Sequence, residues 1–445
     1  MAKVAFISLG CPKNLIDSEN MIALVAEAKL DITNNPKDAE VIVVNTCGFI
    51  SSAKEESINT ILEMAEYKKD NCKVLVAVGC LVQKYHKELQ KELPEIDAFL
   101  GTDNYHEIVD IITKALEKQK IIKVNKEHTV NYPELPRILT TPRHYAYLRI
   151  AEGCDNCCTF CAIPQIRGPY RSRPQEDILK EAKKLVNNGV RELILVAQDT
   201  TQYGIDLYGE IKLVELLKRL AGIGELRWIR LLYCYPNDFP EELIQLMKIE
   251  PKICKYLDLP LQHADNTILK KMGRHITQEE IRELIVKLRS NIPDITIRST
   301  FIVGFPGESQ ENFRNLLNFL QDAGLERVGA FPYSREDDTP AGKMASQINQ
   351  QTKQSRLNRL MKLQKEILLK KHGQYIGSDI IVQVDGPSQD IKNLWICRSQ
   401  GEAPDIDPVI LVFSLEQLSP GQLLSVKITH LQDFDLIGEI NRELT

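Results

Sequence analysis

The sequence predicts a multidomain α/β chain with three parts: an N-terminal parallel α/β domain, a partial (β/α)6 barrel, and a small C-terminal OB-like antiparallel β-barrel. Up to about Lys123, apolar runs rich in Val and Ile alternate with helical patterns, which means βαβ units and a parallel sheet. From about Arg143 to Met344 six β-then-α units follow in a row, each roughly 30–40 residues long. Such a series suggests a parallel barrel, or part of one, rather than an open doubly wound sheet. Beyond the basic stretch "KQSRLNRLMKLQKEILLKKHG", about five short strand-like runs succeed one another without a helix. The expected boundaries are 1–123, 140–372 and 373–445, with the basic helix trailing the middle unit.

Composition narrows the class. At 445 residues the chain is long for one core. Its 43% hydrophobic and 26% charged content is that of a soluble globular protein. No apolar run approaches the ~18–20 residues of a membrane span. The start "MAKVAFISLGC" has one lysine and a strand-length apolar run, with no small-residue cleavage site, so it does not read as a signal peptide. Eleven cysteines are too few for a disulfide scaffold of this length, and their number is odd. These features point to a reducing cytoplasm with metal-binding thiols.

The net charge of −5 is unevenly spread. Residues 351–372 hold seven Lys or Arg against the single acid Glu366, whereas residues 376–445 have a net charge of −7. Nucleic-acid surfaces are normally basic, because phosphate neutralisation supplies most of the affinity. Direct nucleic-acid binding is therefore not expected as the main role. An acidic end module suits a basic partner, although a solvated acidic face has the same composition.

In the first unit, "KVAFISLGC", "AEVIVVNTCGF" and "KVLVAVGC" read as buried strands, each ending at a cysteine: Cys11, Cys47 and Cys80. Right-handed crossovers put the carboxyl ends of parallel strands on one edge of the sheet, so the three thiols should meet at one rim. Three buried structural thiols are the competing reading. Cys72 precedes its strand and belongs at the opposite edge.

The second unit begins with "YAYLRIAEGC" and runs straight into "AEGCDNCCTFCAIP", where Cys154, Cys157, Cys158 and Cys161 crowd into eight residues. Chemistry in a parallel barrel sits at the carboxyl ends of the strands, and this loop follows the first strand directly. Later strands end in "VAQDT", with Gln198 and Asp199, in "LPLQHAD", with Gln262 and His263, and in "STFIVGFPGES", with Gly304, Gly307 and Glu308. Each alone is a common turn; their recurrence at one end of successive strands marks them as candidates. Zinc on all four cysteines is the rival for the loop, but adjacent Cys157 and Cys158 would project in divergent directions, and knuckle spacing is absent.

The spacing of Cys154, Cys158 and Cys161, with the aromatic Phe160 just before the last, resembles the signature of the radical S-adenosylmethionine (SAM) superfamily. The resemblance implies a [4Fe–4S] cluster on three thiolates, with one iron left open for the amino and carboxylate groups of SAM. Reductive cleavage to a 5′-deoxyadenosyl radical follows from it. It also implies SAM contacts at the strand ends named above. Taken with the first unit and a terminal TRAM-like barrel, the whole chain resembles the radical SAM methylthiotransferase family. "SLGCPKNLIDSE", "NTCGFI", "EGCDNCCTFCAIPQIRGPYRSR", "YLDLPLQHAD" and "APDID" are similar to the branch that modifies a ribosomal protein. This implies a second, auxiliary [4Fe–4S] cluster on Cys11, Cys47 and Cys80.

The implied reaction inserts a methylthio group at the β-carbon of an aspartate of the small-subunit ribosomal protein numbered twelve. The implied partners are that basic protein and an electron donor such as a flavodoxin or ferredoxin. An unactivated C–H bond explains the need for a radical, since no side-chain base could usefully deprotonate it at pH 7. Asp405 and Asp407 are expected to help present an acidic recognition surface over the barrel mouth. Two features depart from the family pattern: the extra thiol Cys157, and Pro408 where a Gly is usual. The alternatives are a tRNA methylthiotransferase with the same chemistry, or a non-catalytic Fe–S or zinc-binding protein.

Overall fold

The structure is a computed structural model, and it describes residues 2–125 and 135–444. The N-terminal unit is a six-stranded, all-parallel sheet in the order β2-β1-β3-β4-β5-β6. Its strands are β1 (Lys3–Ser8), β2 (Asp31–Thr33), β3 (Val41–Thr46), β4 (Val74–Gly79), β5 (Ala98–Leu100) and β6 (Ile121–Lys123). Helices α1 (Pro12–Glu27), α2 (Ser51–Glu66), α3 (Cys80–Glu92) and α4 (Ile108–Leu116) cover it. β3 and β4 are buried throughout, which is why they read as unbroken apolar runs. The three strands that the sequence did not reveal, β2, β5 and β6, have three residues each, too short to show a period.

The middle unit contains six parallel strands in the order β14-β13-β12-β11-β10-β7. They are β7 (Tyr145–Arg149), β10 (Glu192–Val196), β11 (Trp228–Leu231), β12 (Ile253–Asp258), β13 (Thr296–Val303) and β14 (Arg327–Pro332). A short antiparallel pair, β8 (Ala151–Glu152) and β9 (Arg171–Ser172), brackets the four-cysteine loop. Helices α5 (Ile163–Arg167), α6 (Gln175–Asn187), α7 (Ile205–Tyr208), α8 (Leu213–Ala221) and α9 (Glu241–Ile249) fill the first half of the unit. They are followed by α10 (Asn266–Lys271), α11 (Gln278–Asn291), α12 (Gln310–Ala323) and α13 (Gln350–Gly373).

The partial barrel has two open edges, and both are covered: α1 packs beside β7 and α13 along β14. Covering an edge explains why the basic helix buries charge. Lys353 donates to the Tyr333 carbonyl at 2.7 Å, and Arg356 donates to that of Glu308 at 3.0 Å.

The end module is a closed barrel, β15-β16-β17-β19-β18. Its strands are β15 (Asp379–Pro387), β16 (Leu394–Arg398), β17 (Ile410–Phe413), β18 (Leu423–Gln432) and β19 (Asp435–Leu444). The sequence predicts an antiparallel barrel, and the structure departs from that at one step: β17 and β19 pair in parallel.

The module seats on the amino-terminal side of the β/α barrel, opposite the cysteine loop. Glu192, the first residue of β10, is held by Arg230 at 2.8 Å and by Arg398 of the module at 2.9 Å. His144 meets Asp385 at 2.7 Å. Asp407 accepts from Tyr256 Oη at 2.8 Å and Arg298 Nη1 at 2.6 Å, and its side chain is 1% exposed. Asp405 is exposed but leans on Tyr145 Oη at 3.3 Å. These contacts correct the expectation of an acidic surface over the barrel mouth: Asp407 docks the module, and it does so at the far end. No helix among the described residues is long and apolar enough to cross a membrane.

Candidate cluster and cofactor site

The cysteine loop is built by tight backbone. Gly153 has φ +77°, and a Cβ there would stand 1.9 Å from the Pro169 carbonyl oxygen, so the turn that launches Cys154 accepts only glycine. Cys154 N donates to Gly168 O at 3.1 Å, and Cys161 N to Cys158 O at 3.1 Å, folding the loop on itself. Arg274 Nη1 lies 3.7 Å from Cys158 Sγ, its guanidinium stacked 3.9 Å from the Tyr235 ring centre. Burial, together with the neighbouring loop thiols, pushes the Cys154 thiol up to about 11 and the Cys161 thiol up to about 12. Cys157 is exposed.

The strand-end cysteines of the first unit also come together. A Cβ on Gly10 would be 3.0 Å from Cys47 Cβ, so the loop bearing Cys11 lies directly against Cys47. Asn14 ties the loops together by donating to the Leu9 and Thr46 carbonyls at 3.1 and 2.9 Å. Its Oδ1 faces Cys80 Sγ at 3.5 Å. Burial pushes the Cys80 thiol up to about 12 and raises that of Cys47. Cys72 is buried among the core residues of the sheet, before β4 and away from this edge.

The two sets of three face each other. Cys80 packs on Ala162 and Ile166, the residues just after Cys161. Lys13, two residues beyond Cys11, donates to the Ala197 carbonyl at 3.2 Å and sits 4.0 Å over the Tyr233 ring, at the barrel mouth. None of the eleven cysteines is disulfide-bonded. The donor sets suit thiolate-held iron: half-buried or buried thiols gathered in threes, with a guanidinium aimed at one sulfur of each set. No group of three donors among the described residues is spaced for a single metal ion. A four-iron cluster spreads its thiolates wider than one ion does.

The strand-end candidates divide. Gln198 Nε2 donates to Glu152 Oε1 at 2.5 Å, while its Oε1 is buried without a partner among the described residues. Asp199, raised by burial, accepts from Asn156 at 2.8 Å and holds the cysteine loop. Gln262 has φ +70° and bridges to Phe301 of β13. The other four pack into the scaffold. His263 is fully buried, Nδ1 accepting from Asp265 N at 2.9 Å, and burial brings its pKa down to about 3. Glu308 accepts from the backbone N–H groups of Gly304 and Phe305 and pairs with Arg356 at 3.2 Å. Burial, opposed by Arg356, brings its pKa up to about 7. Gly304 and Gly307 make room for Lys353 and Lys271. Phe160 packs with Ile268, Met272 and Phe305.

Sequence reasoning missed the charges between the two edges: Asp17, Arg149, Glu152 and Arg167, all at most 5% exposed at the side chain. "RGPYRSR" contains Arg167, but nothing in a linear pattern marks a buried cation.

Fold and site together define a radical SAM enzyme. The Radical SAM superfamily model matches residues 148–320, that of the uncharacterized protein family UPF0004 residues 3–101, and that of the TRAM domain residues 376–440. Among solved structures, the radical SAM methyltransferase TsrM from Kitasatospora setae aligns with TM-score 0.56 at 12% identity, over 87% of this chain and 79% of that one. That likeness concerns the fold alone. The chain is 50% identical to ribosomal protein uS12 methylthiotransferase RimO of Desulforamulus reducens, over 99% of its length and 100% of the relative's. It is 49% identical to the protein of the same name from Acetivibrio thermocellus, over 99% of each, and 46% identical to that of Clostridioides difficile, over 100% of each. The chain belongs to the RimO family of radical SAM methylthiotransferases.

Proposed function

We propose that this chain inserts a methylthio group at the β-carbon of an aspartate of ribosomal protein uS12. The reading assigns Cys154, Cys158 and Cys161 to a [4Fe–4S] cluster with SAM on its open iron. Cys11, Cys47 and Cys80 hold an auxiliary [4Fe–4S] cluster. When bound, these groups supply the electron, the 5′-deoxyadenosyl radical and the methylthio group. The chain's own residues position and shield them. Gln198, with one buried oxygen free among the described residues, is the strand-end group best suited to meet SAM's amino group. Asp199 orders the cysteine loop, and Gln262 and His263 shape the neighbouring strand end. The carrying observation is the packing of Cys80 on Ala162 and Ile166, which puts two cysteine sets from separate units at one mouth.

Domain limits at 1–123, 140–372 and 373–445 suit this reading, as do a cytoplasmic setting and a flavodoxin- or ferredoxin-like reductant. The test is mass spectrometry of ribosomal proteins from strains with and without the gene. A methylthio mass on uS12 that depends on the gene is expected. Its absence, with gene-dependent methylthio groups on tRNA nucleosides instead, would overturn the proposal. Anaerobically reconstituted chain should carry about eight irons, and about four after Cys154, Cys158 and Cys161 are changed together to Ala.

A further inference from the structure

The buried charges between the two cysteine sets assign a task to Arg167. This residue ends α5, the short helix just after Cys161, and its side chain is 2% exposed. Nη2 donates to Asn14 Oδ1 at 2.6 Å and lies 3.5 Å from Cys80 Sγ. Nη1 pairs with Asp17 at 3.0 Å and Glu152 at 3.3 Å. Arg149 shares the same two acids, at 2.6 and 3.0 Å, and its Nη2 donates to Tyr105 Oη at 2.9 Å. Two cations and two carboxylates thus balance in formal charge, and Arg167 directs an N–H at the sulfur. The acids hold its fork in place from the other side. Contacts run unbroken from Cys80 through Arg167 and Glu152 to Gln198.

A guanidinium is planar and permanently charged. Fixed against a cluster sulfur, it favours the more negative, reduced state, since net charge and hydrogen bonds to sulfur set such potentials.

We propose that Arg167 is a positioning residue supplied by the barrel unit to the N-terminal unit's cluster, directing an N–H at the Cys80 sulfur and raising that cluster's reduction potential. The inference rests on the auxiliary-cluster reading above. It makes the potential depend on docking between the two units, because the cation comes from across their boundary.

The experiment uses the full chain with Cys154, Cys158 and Cys161 changed to Ala, so that one cluster remains. Iron content is measured first, then the midpoint potential by titration monitored by electron paramagnetic resonance. Arg167→Gln should shift the midpoint to more negative potential. Arg167→Lys, which keeps the charge, should restore most of the shift. Arg149→Gln, which removes the second cation on the same two acids and leaves the Arg167–Cys80 contact in place, should move it much less. An Arg167→Gln midpoint equal to the parent's overturns the inference, as does an equal shift from Arg149→Gln. Should Arg167→Gln fail to hold iron, the lysine variant decides. Loading with a near-parental midpoint upholds the role of the charge, and failure to load refutes it. A parent without iron overturns the auxiliary-cluster reading itself, a result distinct from an unmoved midpoint.

Discussion

Replacing Glu192 tests how the end module is held. Its carboxylate lies between Arg230 and Arg398, and all three side chains are at most 1% exposed. Glu192→Ala removes the shared acid and leaves both guanidiniums buried. Arg398 keeps Asp385 at 2.7 Å, and Arg230 keeps the Gln400 carbonyl at 2.7 Å, so neither cation is wholly stranded. Breaking a buried ion pair costs about 3–5 kcal/mol, and the retained partners put the expected loss near the lower end. The two tryptophans sit on either side of the junction, Trp228 in the barrel lumen and Trp395 in the module core. Urea unfolding in Trp228→Phe and Trp395→Phe backgrounds therefore reads each side separately. The two transitions should coincide in the parent, whereas in Glu192→Ala the module signal should move to lower urea. Coincident transitions, displaced by less than about 0.5 kcal/mol, would refute the reasoning.

The same group gives the junction a pH dependence. Burial acts to raise the Glu192 pKa, but Arg398 and Arg230 outweigh it and the net shift is downward. A depressed folded pKa means that its contribution is complete above the unfolded value, about 4.3. The contribution is lost as pH falls through the lower folded value. The parent's module should thus uncouple in acid, and Glu192→Ala should lack that component.

Three further outcomes are expected. Gly153→Ala forces a Cβ onto the Pro169 carbonyl oxygen at 1.9 Å, so iron analysis should show loss of the barrel cluster, about half the total, with the auxiliary set intact. Cys72→Ala and Cys157→Ala should retain full iron and SAM cleavage, because one thiol lies in the sheet core and the other is exposed beside its set. Loss of a cluster from either would show the ligand assignment to be wrong. Glu336→Ala removes the acid that clasps Lys54 at 2.7 Å and Lys84 at 3.1 Å across the mouth. Hydrogen exchange should then rise in α2 and α3 but not in the end module, and uniform exchange would exclude a local clasp.

Sequence by itself determined what local spacing and topology control. Cys154, Cys158 and Cys161 share one loop, so their convergence needs only the turn at Gly153. Cys11, Cys47 and Cys80 are far apart in the chain, but parallel strands joined by right-handed crossovers must end on the same edge. Cys72 was separable from them by its position before β4, for the same reason.

Only the tertiary structure decided how the units meet. Arg167 and Cys80 are 87 residues apart and in different units, and a side-chain contact at that separation leaves no periodic trace. The acidic composition of residues 376–445 likewise says nothing of direction. Asp407 is spent inside the molecule because Tyr256 and Arg298 reach it from the barrel's amino-terminal side. Glu308 and His263 stand where a ligand contact was expected, yet local backbone N–H groups claim Oε2 of the one and Nδ1 of the other. Arg356 pairs with Glu308 Oε1, which leaves His263 Nε2 buried without a partner among the described residues. Strand-end position brings a residue to the rim; whether it faces the ligand depends on which hydrogen-bonding groups already surround it.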